Sequence, residues 1–231
     1  MKLYADTADP KEMVYFNNST EFGVDGFTTN PSLMKQAGIK DYEGFAKEML
    51  QEIKVKPISF EVIGDDYREI VRQAEKIASW GENVYVKIPV SNTSGIYNFD
   101  LMRMLSKRGI KVNATAITTF AQITDVTRYL NTDTPTIISI FAGRIADTGR
   151  NPQAEIIFAH RKKFQNQEIL WASTREICNF IQASVAGADI ITMTPALIMK
   201  KKQVYGKSLD AVSEDVVKQF LHDAIESNLT L

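Results

Sequence analysis

The 231-residue chain has one cysteine, two histidines, two tryptophans and seven prolines. A single cysteine, Cys178, excludes an intramolecular disulfide and fits a reducing cytoplasm. In its helical-looking setting it reads as a small buried hydrophobe. His160 and His222 are far apart in sequence and have no thiolates beside them. They do not suggest a metal site and are expected at the surface or at a helix cap. No apolar run approaches the roughly 20 residues of a membrane span. The first ten residues carry Asp6 and Asp9 in place of an apolar core, which argues against a signal peptide. Charge of one sign is also missing: 27 Lys and Arg face 28 Asp and Glu, for a net charge of -1. Bulk charge therefore points neither to nucleic acid nor to a membrane, although a local cationic pocket stays open. No G-x-G-x-x-G follows the first strand-like run, which weakens a dinucleotide reading.

What is present is alternation. Strand-like runs at 2–5, 26–28, 57–63, 83–88, 111–115, 136–141, 169–173 and 189–193 are each followed by a helix-forming stretch. The helices are expected at 9–20, 42–54, from a cap at Asp65 to Trp80, 95–108, 119–130, 153–166, 174–185 and from Pro195 onward, with 209–228 a terminal helix. Strict β–α alternation with short apolar strands means a parallel sheet covered by helices. Eight such units in this length favour a single (β/α)8 TIM barrel over residues 1–231, an open doubly wound sheet being the alternative. No linker divides the chain.

In such a barrel the late residues of each strand gather at one mouth. Asp6, Asn30, Glu61, Lys87, Asn113 with Thr115, Ser139 with Phe141, and Ser173 all stand late in or just after a strand. Each alone reads more readily as structural; seven strands supplying polar groups at one end read as a site. Lys87 is the sharpest signal, an ammonium inside the apolar run VYVKIPV. It either snorkels to solvent or is a buried amine, and a buried lysine is a nucleophile toward carbonyls. Glu61 on the preceding strand can pair with it. Arg144, Arg175 and Ser173 follow strands six and seven, a set suited to a phosphate if it is not simply surface charge. Lys200, Lys201 and Lys202 read as a solvated helix face.

These segments resemble the transaldolase family, in particular its short single-domain branch, which includes the fructose-6-phosphate aldolases. The resemblance rests on ADTAD at 5–9, GFTTNPSL at 26–33, VYVKIPV at 84–90, VNATAITTFAQ at 112–122, SIFAGRIAD at 139–147, ASTR at 172–175 and GADIITMTP at 187–195. It implies a TIM barrel with no metal and no organic cofactor. It implies that Lys87 forms a Schiff base with a ketose carbonyl, that Asp6 is the acid/base of carbon–carbon cleavage, and that Glu61 and Thr115 hold a relay water. It further implies that Asn30, Asn113 and Ser139 bind a dihydroxyacetone unit, while Arg144, Ser173 and Arg175 hold the sugar phosphate. The aldolase branch typically carries Gln and Tyr where this chain has Glu61 and Phe141, so the resemblance favours transfer to an aldose phosphate over free cleavage.

Departures at SNTSG (91–95), ATAIT and Thr174 leave open whether the pathway is central pentose metabolism or a more specialised one. A fructose-6-phosphate aldolase, a non-catalytic sugar-phosphate-binding barrel and a metal-dependent aldolase are the competing readings. The resemblance also implies a homo-oligomer, a ring such as a pentamer or stacked decamer, with 209–228 as the contact; the single cysteine leads to the expectation of a cytoplasmic protein.

Overall fold

The computed structural model describes residues 1–230. Along the chain run β1 (Lys2–Asp6), α1 (Pro10–Asn18), β2 (Val24–Thr28), α2 (Pro31–Gln36), α3 (Tyr42–Glu52), β3 (Ile58–Glu61), α4 (Tyr67–Ala78) and β4 (Val84–Pro89). They continue with α5 (Phe99–Lys107), β5 (Val112–Ile117), α6 (Phe120–Tyr129), β6 (Thr136–Ile140), α7 (Ala142–Ala146), α8 (Gln153–Lys162), β7 (Gln167–Trp171), α9 (Cys178–Ala186), β8 (Ile190–Met193), α10 (Pro195–Val204) and α11 (Leu209–Glu226). The strands pair in sequence order, all parallel, and β8 returns to β1 to close the barrel. The (β/α)8 expectation therefore holds and the open sheet does not.

Side-chain alternation along the strands builds two separate cores. Outward residues such as Val86, Ile88, Ile138, Ile140, Ile169 and Trp171 pack under the helices. Inward residues Tyr4, Tyr85, Ile137, Leu170 and Ile190 fill the barrel itself. Gly26 makes room for this inner layer: a Cβ there would lie 2.6 Å from the Tyr4 ring. Burial pushes the Tyr4 hydroxyl well above the usual phenol range, and Tyr85 up to about 12. Above this apolar plug the next inward position is polar on every strand but the seventh, where it is Ala172, so the plug is the floor of a largely polar mouth.

The helices begin where side chains replace missing backbone partners. Asp9, Asn30, Asp41, Asp66, Thr119, Thr194 and Ser208 each accept a backbone N–H at an N-cap. Several sequence expectations shift accordingly. The fourth helix is capped by Asp66, while Asp65 instead accepts from the backbone and hydroxyl of Thr93. The expected helix from 95 starts only at Phe99, because 91–98 forms a turn closed by a bridge between Ser91 and Tyr97. The second strand is longer than the three residues read from sequence, and α2 and α7 are additional short helices. Strand seven lies earlier than 169–173, and its helix starts at Cys178 instead of 174. Cys178 is exposed on that helix, not buried.

Candidate functional site

The inward polar positions meet at the C-terminal mouth, in a cavity of about 490 Å³. Strand register sets their neighbours: Glu61 lies opposite Lys87, Lys87 opposite Asn113, and Pro89 opposite Thr115. Asp6, Asn30, Glu61, Lys87, Thr115, Ser139, Phe141, Arg144, Ser173 and Arg175 all line this one cavity. Asn113 does not line it. It sits fully buried beneath, donating to Ser59 Oγ at 3.0 Å and accepting from Ser139 Oγ at 2.7 Å.

Lys87 is 5% exposed. Its Nζ lies 3.0 Å from Glu61 Oε2 and donates to the Thr29 carbonyl at 2.7 Å. The snorkelling alternative therefore fails, since the ammonium stays inside the protein and is paired there. Glu61 is held at its backbone by the Tyr42 hydroxyl, 2.8 Å from its carbonyl oxygen. Asp6 receives the Thr28 hydroxyl on Oδ1 at 2.6 Å. Burial pushes its carboxyl above the usual range; the Lys87 ammonium and the Thr28 bond pull it down, and Glu61 adds to the rise. The Thr115 hydroxyl is buried without a partner, facing a polar cavity large enough for water.

Thr115 is aimed by an irregularity. β5 slips register against β6 between Ala114 and Ile117, and Ala116 has a φ of 61°, in the left-handed region. A second strained residue, Ser173, has a φ of 62°. It follows β7, well ahead of α9, so the expected helix N-terminus beside it is not there. Instead α7 passes against it, and Gly143 has no space for a side chain because a Cβ would overlap the Ser173 carbonyl. The same loop is tied to β8 by Thr174, whose hydroxyl donates to the Thr192 carbonyl at 2.7 Å. Asn179 accepts from the backbone of Arg175 and Glu176. Arg175 is paired with Asp147 at 2.7 Å, whereas Arg144, also exposed, makes no ion pair among the described residues. Two guanidinium groups, from the segments after β6 and β7, thus line the same mouth as the carboxylates of Asp6 and Glu61.

Residues 3–230 match the model of the family described as Transaldolase/Fructose-6-phosphate aldolase. The chain belongs to this family. A "Probable transaldolase" of Brucella anthropi is 34% identical over 94% of this chain and 97% of its own length. One from Streptococcus equi subsp. zooepidemicus is 37% identical over 87% and 89%. Among solved structures, a 3-hexulose-6-phosphate synthase from Salmonella typhimurium superposes with a TM-score of 0.59 at 15% identity, over 88% of this chain and 98% of that one. An orotidine 5'-phosphate decarboxylase from Pyrococcus horikoshii gives 0.58 at 15%, over 86% and 91%. At such identities these two share the barrel and carry no more than that. Family membership makes the chain an enzyme of the aldolase/transaldolase type.

Sequence reading missed Thr28, Ser59 and Thr192. Thr28 lies two residues before Asn30, and Ser59 two before Glu61, so strand alternation already put them on the site's face. Thr192 was the polar residue of the eighth strand, the one strand to which no candidate had been assigned. The side chains of His222, Asp223 and Glu226 approach one another, but on the exposed surface of α11, far down the chain from the residues of the mouth.

Proposed function

We propose that the protein is a transaldolase that moves a dihydroxyacetone unit from a ketose phosphate, sedoheptulose 7-phosphate or fructose 6-phosphate, to an aldose phosphate through a Schiff base on Lys87. The observation carrying this reading is the buried Lys87 amine, paired with Glu61 in the same cavity that Asp6 lines. An amine held at the floor of a cavity, with a carboxylate at 3.0 Å to take its proton, is an arrangement that binding alone does not need.

In this reading Nζ attacks the ketose C2 carbonyl. Glu61, through a water held by Thr115, moves the protons that let the carbonyl oxygen leave as water. Asp6 takes the C4 hydroxyl proton, the C3–C4 bond breaks, and its electrons pass to the protonated imine as an enamine. The aldose phosphate departs. The enamine carbon attacks the carbonyl of the acceptor, Asp6 returns the proton, and water hydrolyses the imine to free Lys87. Asn30 and Ser139 contact the three-carbon unit and Asn113 holds Ser139 from below. Arg144, Arg175 and Ser173 bind the phosphate.

Phe141 favours transfer over free cleavage. It lines the cavity without a hydroxyl that could protonate the enamine, so the enamine persists until an acceptor arrives. The chain works as one barrel domain without metal or organic cofactor. A cytoplasmic site is in keeping with its single cysteine. It assembles with copies of itself through α11, which has no buried residue within the chain and exposes Val216, Val217, Phe220 and Leu221.

Incubation with fructose 6-phosphate, borohydride reduction and intact-mass measurement tests the central claim. A three-carbon adduct on the natural protein, absent from Lys87→Met, is the expected result. No adduct with any ketose phosphate would sink the Schiff-base reading and leave a sugar-phosphate-binding barrel. Given the adduct, product formation without an aldose acceptor would mark an aldolase instead.

A further inference from the structure

Asp6 ends a short chain of hydroxyl groups. Its register partner Thr28, on β2, donates to Oδ1 at 2.6 Å. Thr28 Oγ1 in turn lies 2.6 Å from Thr192 Oγ1 on β8. β1 lies between β2 and β8 in the closed sheet, so the two threonines converge on Asp6 from its two neighbouring strands. Thr28 and Thr192 are 2% and 4% exposed, at the edge of the cavity they line with Asp6.

A threonine hydroxyl has one proton to give. With the Thr28 proton committed to Asp6, Thr192 must donate to Thr28. In the opposite polarity a protonated Asp6 would donate to Thr28, and Thr28 to Thr192. The Thr192 proton would then have no acceptor within the protein and would turn to the cavity it lines, because Thr192 Oγ1 has no other side-chain or backbone partner among the described residues. That polarity gives up a fixed acceptor inside the protein and the hydrogen bond to a charged group, the stronger kind. The chain thus favours the carboxylate form of Asp6 and leaves Oδ2 free for a substrate hydroxyl.

We infer that Thr192 is a positioning residue for Asp6, setting through Thr28 the polarity of a two-hydroxyl chain that keeps the carboxylate ionised and oriented. The inference rests on the proposed acid/base role of Asp6. Charged groups around Asp6 are Lys87 on β4, Glu61 on β3, the guanidinium groups of Arg144 and Arg175 lining the same mouth, and Asp9 and Glu12 across a smaller side pocket. β8 brings no ionisable group, and the residues that α2 with its C-cap Ala37 and α10 place beside that pocket (Leu33, Gln36, Ala37, Pro195, Ala196) carry no charge. Lys87 and Glu61 act on Asp6 by charge, whereas β8 acts on it only through the Thr192 hydroxyl.

The test follows two readouts in the full-length protein. One is the Asp6 carboxyl, titrated by carbon NMR with labelled aspartate; the other is the acid limb of kcat/KM for ketose-phosphate cleavage. Thr28→Val is expected to raise the Asp6 midpoint by about one pH unit, the scale of one hydrogen bond to a charged group. Thr192→Val raises it in the same direction by less, and Thr192→Ser returns it to the natural value. If valine packs poorly, Thr192→Cys, a weak donor of similar size, carries the same expectation. An Asp6 midpoint unmoved in Thr192→Val, or a serine variant indistinguishable from the valine one, overturns the inference. A midpoint that moves while the acid limb stays still supports the hydroxyl chain and refutes the acid/base role of Asp6, which separates the two failures.

Discussion

At the residue scale, the site is a set of polar groups whose costs of burial are offset locally. Lys87 is the clearest case, because an ammonium within an apolar strand must either escape or be paired, and Glu61 and the Thr29 carbonyl pair it. That demand made Lys87 legible in sequence. Thr28 and Thr192 were not legible as functional, since threonine is an ordinary strand residue and only a closed barrel sets the two hydroxyls 2.6 Å apart. Asp6 carries a consequence for stability. Its carboxyl titrates above the usual value, so the native state holds the proton more tightly than the unfolded chain does. Its contribution is complete below the unfolded carboxyl range, about 3.9, and is lost as pH rises through the raised native value. Asp6→Asn keeps an oxygen for Thr28 and removes the buried charge. It is expected to raise Tm at pH 7, with the gain shrinking toward pH 4, while cleavage falls roughly 10²- to 10⁴-fold. Thermal melts at the two pH values with parallel assays check both; a lower Tm at pH 7 would contradict the account.

At the element scale, backbone irregularities aim the side chains that regular strands could not. The slip in β5 places Ala116 in the left-handed region, beside the unpartnered Thr115 hydroxyl. A β-branched residue at Ala116 would meet the full steric cost of that conformation. Ala116→Val is expected to destabilise by about 1–3 kcal/mol in urea unfolding and to lower turnover more than substrate affinity. A variant of natural stability would mean that the slip is not needed. Gly143 answers a different constraint, the approach of α7 to the Ser173 carbonyl. Gly143→Ala must push α7 or the Ser173 loop aside, so the apparent affinity for phosphorylated substrates should fall at least tenfold, measured against a donor lacking the phosphate. Equal losses for both donors would remove the loop from phosphate binding. Neither irregularity has a signal in periodicity. α2 was also missed, although it had a signal: Asn30 before Pro31 is a cap followed by a residue suited to the first helical turn.

At the scale of the whole molecule, the barrel accounts for every element but the last. None of the residues of α11 is buried, and its face presents Phe220 and Ile225, each 67% exposed. Such a face on a helix of this length asks for a partner. Light scattering is expected to give a multiple of the 26.0 kDa chain mass. Removal of residues 209–231 should yield smaller, still folded species, because the barrel makes no use of that helix in its core. A monomer in the intact protein would refute assembly through α11.

The alternation of eight apolar runs with helical stretches determined a parallel sheet covered by helices, because a parallel strand needs a crossover and a covered face wherever it sits; their number favoured a barrel over an open sheet. The polar residues late in seven of the strands marked that end as the mouth. Chain order alone could not say how those residues would share hydrogen bonds. Asn113 lies below the cavity and Ser173 off its strand, while Asp6 joins Thr192 through Thr28. These relations run between strands distant in sequence, and they exist only once β8 has closed on β1 and brought side chains from opposite ends of the chain within hydrogen-bond reach.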